Sequence, residues 1–399
     1  MSPQPTKLIN DKDHVHPCTV KCRTIQQAYE GGKMGWEVPQ STVDFFKDVR
    51  RPAIRSSPLS SLDHCPREFL YAYRLGIRPR QYESALTMGT IVHKVLQCLF
   101  LGQKPDEALE VCERVLQKEQ QSLLDLVGPD GLLPSGVALE PLLQKVEEDY
   151  HKARAMALVF WQFVPFDPDK YEILRTPDGE PCVELLLTCT YPGLSRPIVT
   201  PCDLALVEKA TGHIWIVDHK TTSFDPKKRA IPTKISAQLA LYRLGLQAHL
   251  DDWAEKGLAP KRTVIGSLHA ILRKPTIKYC PKTKDKAGFA AYIERLVEWY
   301  KDQDAKDPDN PPLILDPNRF TTKTMTPELW GRLKQFCKAS YCGPNIHHFY
   351  RVGESACLQY NKICPYMQLC NSSPAMWPDI IREKFEIRYR EDEENDNAI

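Results

Sequence analysis

The chain has 399 residues, a formal net charge of +2, 42% hydrophobic and 26% charged residues, and 14 cysteines. That length buries a large core and exceeds the usual single domain, while a near-neutral balance excludes any partner assignment from global charge alone. The Met1-Ser2-Pro3-Gln4-Pro5 start leads into no apolar stretch, and no run of about 18 apolar residues follows, so the expectation is a cytoplasmic protein with no membrane segment. Disulfide frameworks belong to secreted chains, which leaves metal binding as the better account of clustered cysteines.

Residues 1–52 are polar, with several Pro and Gly, and read as an N-terminal extension; within it His14, His16, Cys18 and Cys22 have zinc-like types at a spacing that matches no compact site. Leu59 to Tyr73 predicts a Ser-capped amphipathic helix, and a second helix runs from about Ser84 to Phe100. Two further helical patterns, separated by a Gly/Pro break from Gly128 to Gly136, make residues 101–170 a helical insertion. Three strands follow, Val183 to Tyr191, Ile198 to Glu208 and His213 to Thr221, then a helix from about Lys234 to Leu250 and a strand from Thr263 to Leu272. The fold class expected from helix, three strands, helix, strand is α/β, a small mixed sheet flanked by helices. Residues 287–303 and 326–340 read as helices, 341–371 as a Cys-rich segment, and 372–399 as a charged, mobile tail. Single cysteines in apolar surroundings, Cys98, Cys112, Cys182, Cys189 and Cys202, read as small buried hydrophobes.

Alternate side chains of a strand share a face, so Ile214, Ile216, Asp218 and Lys220 point one way and Trp215, Val217 and His219 the other. The short Lys209 to Gly212 turn predicts antiparallel pairing with the preceding strand, where Asp203 interrupts an apolar run and can face Asp218 across the ladder. Two facing buried carboxylates require a cation, and Mg2+ or Mn2+ prefers such oxygen ligands. Gly89 and His93 lie four apart on one helix face, where a missing side chain permits close approach to the imidazole; Gln238 and Tyr242 are likewise four apart. Glu184 at the start of the first strand reads as a solvent-facing charge, with an outer-shell carboxylate as the alternative. Pro201 needs an edge or bulge position.

The order Gly89-x3-His93, Asp203, Asp218-x-Lys220, Gln238-x3-Tyr242 resembles the RecB-like branch of the PD-(D/E)xK nuclease superfamily, over about residues 57–100 and 180–371. The resemblance implies a restriction-endonuclease-like core within residues 53–371. It also implies that His93, Asp203, Asp218 and the backbone carbonyl of His219 hold a divalent metal, that Lys220 orients or activates water, and that Gln238 and Tyr242 contact DNA or support the site. The activity it implies is exonuclease action on DNA ends or single strands, in recombination, repair or CRISPR-type processing. Relatives often carry Gly two or three residues before the first Asp, where this chain has Thr200-Pro201-Cys202.

Cys357-x6-Cys364-x5-Cys370 is a compact thiol triplet, and Cys65-Pro66 precedes the first core helix. Spacing alone leaves zinc and an iron-sulfur cluster both open. The same resemblance, to the nuclease of AddB and to CRISPR-associated exonucleases, implies a [4Fe-4S] cluster on Cys65, Cys357, Cys364 and Cys370; read from the residues alone, Cys337 or Cys342 is an alternative to Cys65 as fourth ligand. A phosphate grip is expected from Lys227, Lys228, Arg229, Arg273, Lys274, Lys278, Lys282, Lys284 and Lys286, and the absence of a Walker-type loop makes any helicase a separate partner. The competing readings are a catalytically inactive DNA-binding protein with the same fold and a zinc-stabilised interaction module without a nuclease core.

Overall fold

Pro66 settles the first local structure among the described residues. In the computed structural model, which describes residues 51–80, 84–125, 127, 133, 138–163, 166–228, 236–279, 286–309, 311–320, 325–341, 349–350, 352–359 and 362–387, the helix expected over Leu59 to Tyr73 is broken. α1 (Ser56–His64) stops at Cys65, which is extended at φ −152° and ψ 106°, and α2 (Pro66–Phe69) restarts with Pro in its first turn before a π-helical turn, Leu70–Arg74. A residue preceding proline is pushed out of the helical region, and proline suits the start of the next helix.

The remaining elements in chain order are β1 (Ile77–Pro79), α3 (Ser84–Phe100), α4 (Pro105–Leu124), α5 (Leu139–Phe163), β2 (Tyr171–Ile173), β3 (Val183–Cys189), β4 (Ile198–Glu208) and β5 (Ile214–Thr222). They continue with α6 (Ala237–Glu255), β6 (Val264–Arg273), α7 (Lys286–Lys306), β7 (Leu313–Arg319), α8 (Pro327–Tyr341), α9 (Glu354–Cys357), β8 (Leu358–Gln359), β9 (Lys362–Ile363), α10 (Met367–Asn371), α11 (Trp377–Lys384) and β10 (Phe385–Ile387). The N-terminal extension with its His and Cys residues, Cys342, Arg229, Lys282, Lys284 and the tail beyond Ile387 lie outside the described residues. Two compact units emerge: Met1–Gln81 with Thr188–Val199 and Met325–Ile399, and Tyr82–Leu187 with Thr200–Thr324.

The second unit carries a mixed sheet in the order β2-β4-β5-β6-β7, with β3 also paired to β4. β4 and β5 are antiparallel, with Leu204 opposite Val217, while β5 and β6 are parallel, with Asp218 opposite His269. Period-two alternation sorts the two faces. Leu204, Leu206, Trp215, Val217, Leu268 and Ala270 pack beneath α3, α4, α5 and α7. Ala205, Val207, Ile214 and Ile216 pack beneath α6, through Leu239, Tyr242 and Leu246. Full burial of each Leu, Ile or Val among them is worth about 1.5–3 kcal/mol. At Gly245 an added Cβ would stand 3.1 Å from Leu187 Cβ and 3.3 Å from Thr200 Cγ2, so α6 lies close on the sheet there.

In the six-stranded sheet, two strands, β2 and β7, add to the four expected. β7 escaped detection because Asp316, Pro317 and Asn318 break its apolar pattern; as an edge strand it tolerates proline, whose missing N–H costs no ladder bond on the open side. Pro201 lies exposed within β4, before the register with β5 begins at Leu204. The helices of the expected insertion are α4 and α5, on either side of the Gly/Pro break. Cys98, Cys112, Cys182, Cys189 and Cys202 are all buried.

In the first unit, β1 pairs antiparallel with β10, so residues 385–387, expected in a mobile tail, form a strand. Phe385 stacks on Tyr366, whose hydroxyl donates to the Ile77 carbonyl at 2.9 Å, which supplies the apolar anchor that a solvated tail would lack. Among the described residues, no helix is long and apolar enough to cross a membrane.

Candidate active site

β4 and β5 deliver two carboxylates to the same sheet face. One step beyond the Leu204–Val217 pair stand Asp203 and Asp218, with 5% and 0% of their surface exposed. Asp203 is tied on both oxygens: Oδ2 accepts the His219 backbone N–H at 2.9 Å, and Oδ1 accepts the Tyr242 hydroxyl at 3.2 Å. Gln238, one turn earlier on α6, donates to Tyr242 Oη at 2.5 Å, so the i, i+4 pair forms a brace behind Asp203. Asp218 Oδ1 accepts from Lys220 Nζ at 2.6 Å.

His93, on α3, reaches the same place from the other side. Its Nε2 is 2.9 Å from the His219 carbonyl oxygen, and its Nδ1 lies 3.6 Å from Asp203 Oδ2 and 3.4 Å from Glu184 Oε1. Single ligand atoms of His93, Glu184 and Asp203 all lie within 4.8 Å of one another, the spacing of groups that share one cation. Glu184 thereby departs from the solvent-facing expectation. Its backbone sits at φ +50°, a region side chains rarely adopt, and it holds that conformation while pointing a carboxylate at His93. Gly89 does not act as expected either: among the described residues a Cβ there would meet nothing within 4 Å, so no close approach demands glycine.

Charge crowding shows in the titration of these groups. Burial raises Asp203 to about 6, against the pull of His93 and with the help of Glu184 and Asp218. Burial also disfavours charged His93, yet Asp203 and Glu184 outweigh it and lift the imidazole to about 9. Asp218, which burial alone would raise, is held well below the usual carboxylate range by Lys220 and His269. The His219 ring takes no part in the cluster. It is pressed between Phe100 and Phe160, burial lowers it to about 3, and among the described residues neither ring nitrogen has a hydrogen-bond partner. Only the main chain of His219 faces the acidic groups.

His269 was not singled out in the sequence. It is fully buried on β6, beside Asp218, with Nδ1 3.5 Å from Asp218 Oδ2. A lone His in the apolar run from Val264 to Leu272 carries no spacing signal, and only the strand register reveals it.

The donor set suits a hard divalent cation: two carboxylates, an imidazole and a main-chain carbonyl converge, and Asp218 Oδ2 is buried without a normal hydrogen bond among the described residues. The first unit gathers the thiols. The Cys364 N–H donates to the Cys357 carbonyl at 2.8 Å across the β8–β9 hairpin, and burial, Glu68, Cys370 and Cys357 together raise the Cys364 thiol to about 11. Glu68 and Tyr71, just after Cys65, lie against Cys364 and Cys370 respectively. Cys337 is buried on α8.

Residues 56–371 match the family model of the PD-(D/E)XK nuclease superfamily. No curated protein matches the chain.

Proposed function

Because the chain belongs to the PD-(D/E)XK nuclease superfamily, we propose that the centre of His93, Glu184, Asp203, Asp218 and Lys220 hydrolyses phosphodiester bonds of DNA, as an exonuclease acting on ends or single strands. The observation that carries this is the convergence of His93, Glu184 and Asp203 within 4.8 Å beside the Asp218–Lys220 pair. A six-stranded sheet in a chain of this superfamily leaves no place for an interaction module without a nuclease core.

Glu184, Asp203 and His93 would hold Mg2+ or Mn2+, with Asp218 and the His219 carbonyl beside them. Such an ion supplies positive charge for the phosphate oxygens and lowers the pKa of water by several units. Lys220 keeps its ammonium 2.6 Å from Asp218, where it orients the attacking water and offsets charge developing on the phosphate. Tyr242 and Gln238 fix the carboxylate plane of Asp203. Beyond β5, Phe224 is 65% exposed, followed by exposed Lys227 and Lys228; a base can stack on the ring while the lysines meet the backbone.

Cys65, Cys357, Cys364 and Cys370 are assigned a [4Fe-4S] cluster with a structural role. The Cys364 N–H bond to the Cys357 carbonyl, the influence of Glu68 on Cys364 and the Tyr71–Cys370 hydrogen bond support a shared site for these thiols. Iron and zinc content of anaerobically purified protein tests this directly, and zinc without iron would overturn it.

The nuclease reading is tested by Mg2+- or Mn2+-dependent degradation of end-labelled single- and double-stranded DNA, with Asp218→Ala alongside. Metal-dependent loss of label from the ends, absent in the variant, is expected. A folded sample that binds DNA and leaves it intact would return the reading to an inactive DNA-binding protein.

A further inference from the structure

Four strands lay a single row of ionisable side chains across one sheet face. Asp203 on β4 stands beside Asp218 on β5; the register then places His269 opposite Asp218 and Asp316 opposite His269. On the same face Ile216 precedes the row on β5 and Ile271 follows it on β6, both fully buried and apolar, while Lys220 and Ser267 fill the other two flanking positions. A histidine with no exposed surface between two acidic strands is costly unless its nitrogens are used. Both are engaged. Ser267, two residues earlier on β6 and equally buried, has its hydroxyl 3.3 Å from His269 Nε2, while Nδ1 stands 3.5 Å from Asp218 Oδ2.

We propose that His269 is a positioning residue for Asp218, with Ser267 setting its orientation. The Ser267 hydroxyl donates to Nε2, which leaves the ring proton on Nδ1, directed at Asp218 Oδ2. Lys220 holds the other oxygen, so the carboxylate plane is fixed from two sides. At 3.5 Å the Nδ1 contact is longer than a normal hydrogen bond and leaves Oδ2 with unfilled lone pairs. A carboxylate held this way is oriented without being saturated, which is what an ion-binding oxygen requires. Groups behind a ligand typically change metal affinity by about 10–100-fold when removed. The role rests on the reading of Asp218 as part of the ion centre.

The chemistry of the ring suggests a paired test. Asparagine places an amide N–H near the position of Nδ1, whereas glutamine places one near Nε2. Binding of Mn2+ alone to the full chain is measured by calorimetry for wild type, His269→Asn, His269→Gln, His269→Ala and Asp218→Ala, each checked for wild-type circular dichroism. The Mn2+ concentration for half-maximal cleavage is read in parallel. Expected are an affinity loss of roughly 10–100-fold for His269→Ala and His269→Gln, near-complete recovery in His269→Asn, and a matching shift of the activation midpoint with little change in kcat at saturating Mn2+. Should His269→Ala fail to fold, the contrast between asparagine and glutamine still decides, because a purely structural role would not distinguish which nitrogen is kept. Equal affinities for those two variants would overturn the positioning role. Were Asp218→Ala to bind Mn2+ as well as wild type, the ion-centre reading itself would fall, and this role with it; loss in Asp218→Ala with full affinity in His269→Ala would remove His269 alone.

Discussion

Asp203→Asn should make the metal-free protein more stable while abolishing its chemistry. The carboxyl is 5% exposed, and its surroundings raise it from 3.8 to about 6, so keeping it ionised at pH 8 costs roughly 3 kcal/mol at about 1.4 kcal/mol per tenfold. The amide removes that cost. It also spoils one of two hydrogen bonds, since an NH2 group cannot accept from both His219 N–H and Tyr242 Oη–H, a loss of about 1 kcal/mol. About 2 kcal/mol of net stabilisation remains, on the order of 5 °C in Tm for a unit of this size. By linkage, a carboxyl raised on folding loses stability as pH climbs from about 4 to about 6 and levels off above that, so the advantage of the variant is small near pH 4 and complete by pH 8. Thermal unfolding in chelator across that range, with cleavage assayed in Mn2+, provides the measurement. A variant less stable than wild type at every pH, and still able to cut, would show that Asp203 is a structural partner of His93 and refute the argument.

Lys220→Met strands the fully buried Asp218 charge, so the metal-free protein should lose about 3 kcal/mol and all measurable cleavage while binding DNA as before; retained cleavage removes Lys220 from the mechanism. Gly266→Ala places a Cβ 2.5 Å from the Trp215 ring and 2.7 Å from the Asn318 carbonyl, which should cost about 1–3 kcal/mol in urea unfolding; an unchanged midpoint would mean that β6 and β7 separate freely there. Cys364→Ser should strip iron and lower Tm while leaving the cleavage rate per folded molecule within about twofold, because the thiols belong to the other unit from the acidic centre; a catalytic collapse in folded protein would give the cluster a direct role.

How much of this was legible depended on periodicity. The run from Ile214 to Lys220 alternates cleanly, and the Gly212 turn forces β4 back beside it, so the opposition of Asp203 and Asp218 followed from sequence. The pair Gln238 and Tyr242 was visible as an i, i+4 face, although its object, Asp203, was not. Glu184 could not be read because its direction is set by a left-handed backbone at a strand start, where the alternation rule does not apply. His269 needed the parallel register of β5 and β6, a pairing made across an intervening helix that no local pattern encodes. The break at Cys65, by contrast, was encoded plainly by Pro66 and was outweighed by the amphipathic pattern around it.

The interleaving of the two units also sets an order of assembly. Every residue of the unit with the acidic centre exists once Thr324 has been added, whereas the other unit waits for Cys357, Cys364, Cys370 and the β10 strand that closes on β1. At typical elongation rates the stretch from Thr324 to Ile387 takes roughly 3–13 s. On the ribosome, the carboxylates of the acidic centre are therefore all in the chain before Cys357, Cys364 and Cys370 have been added.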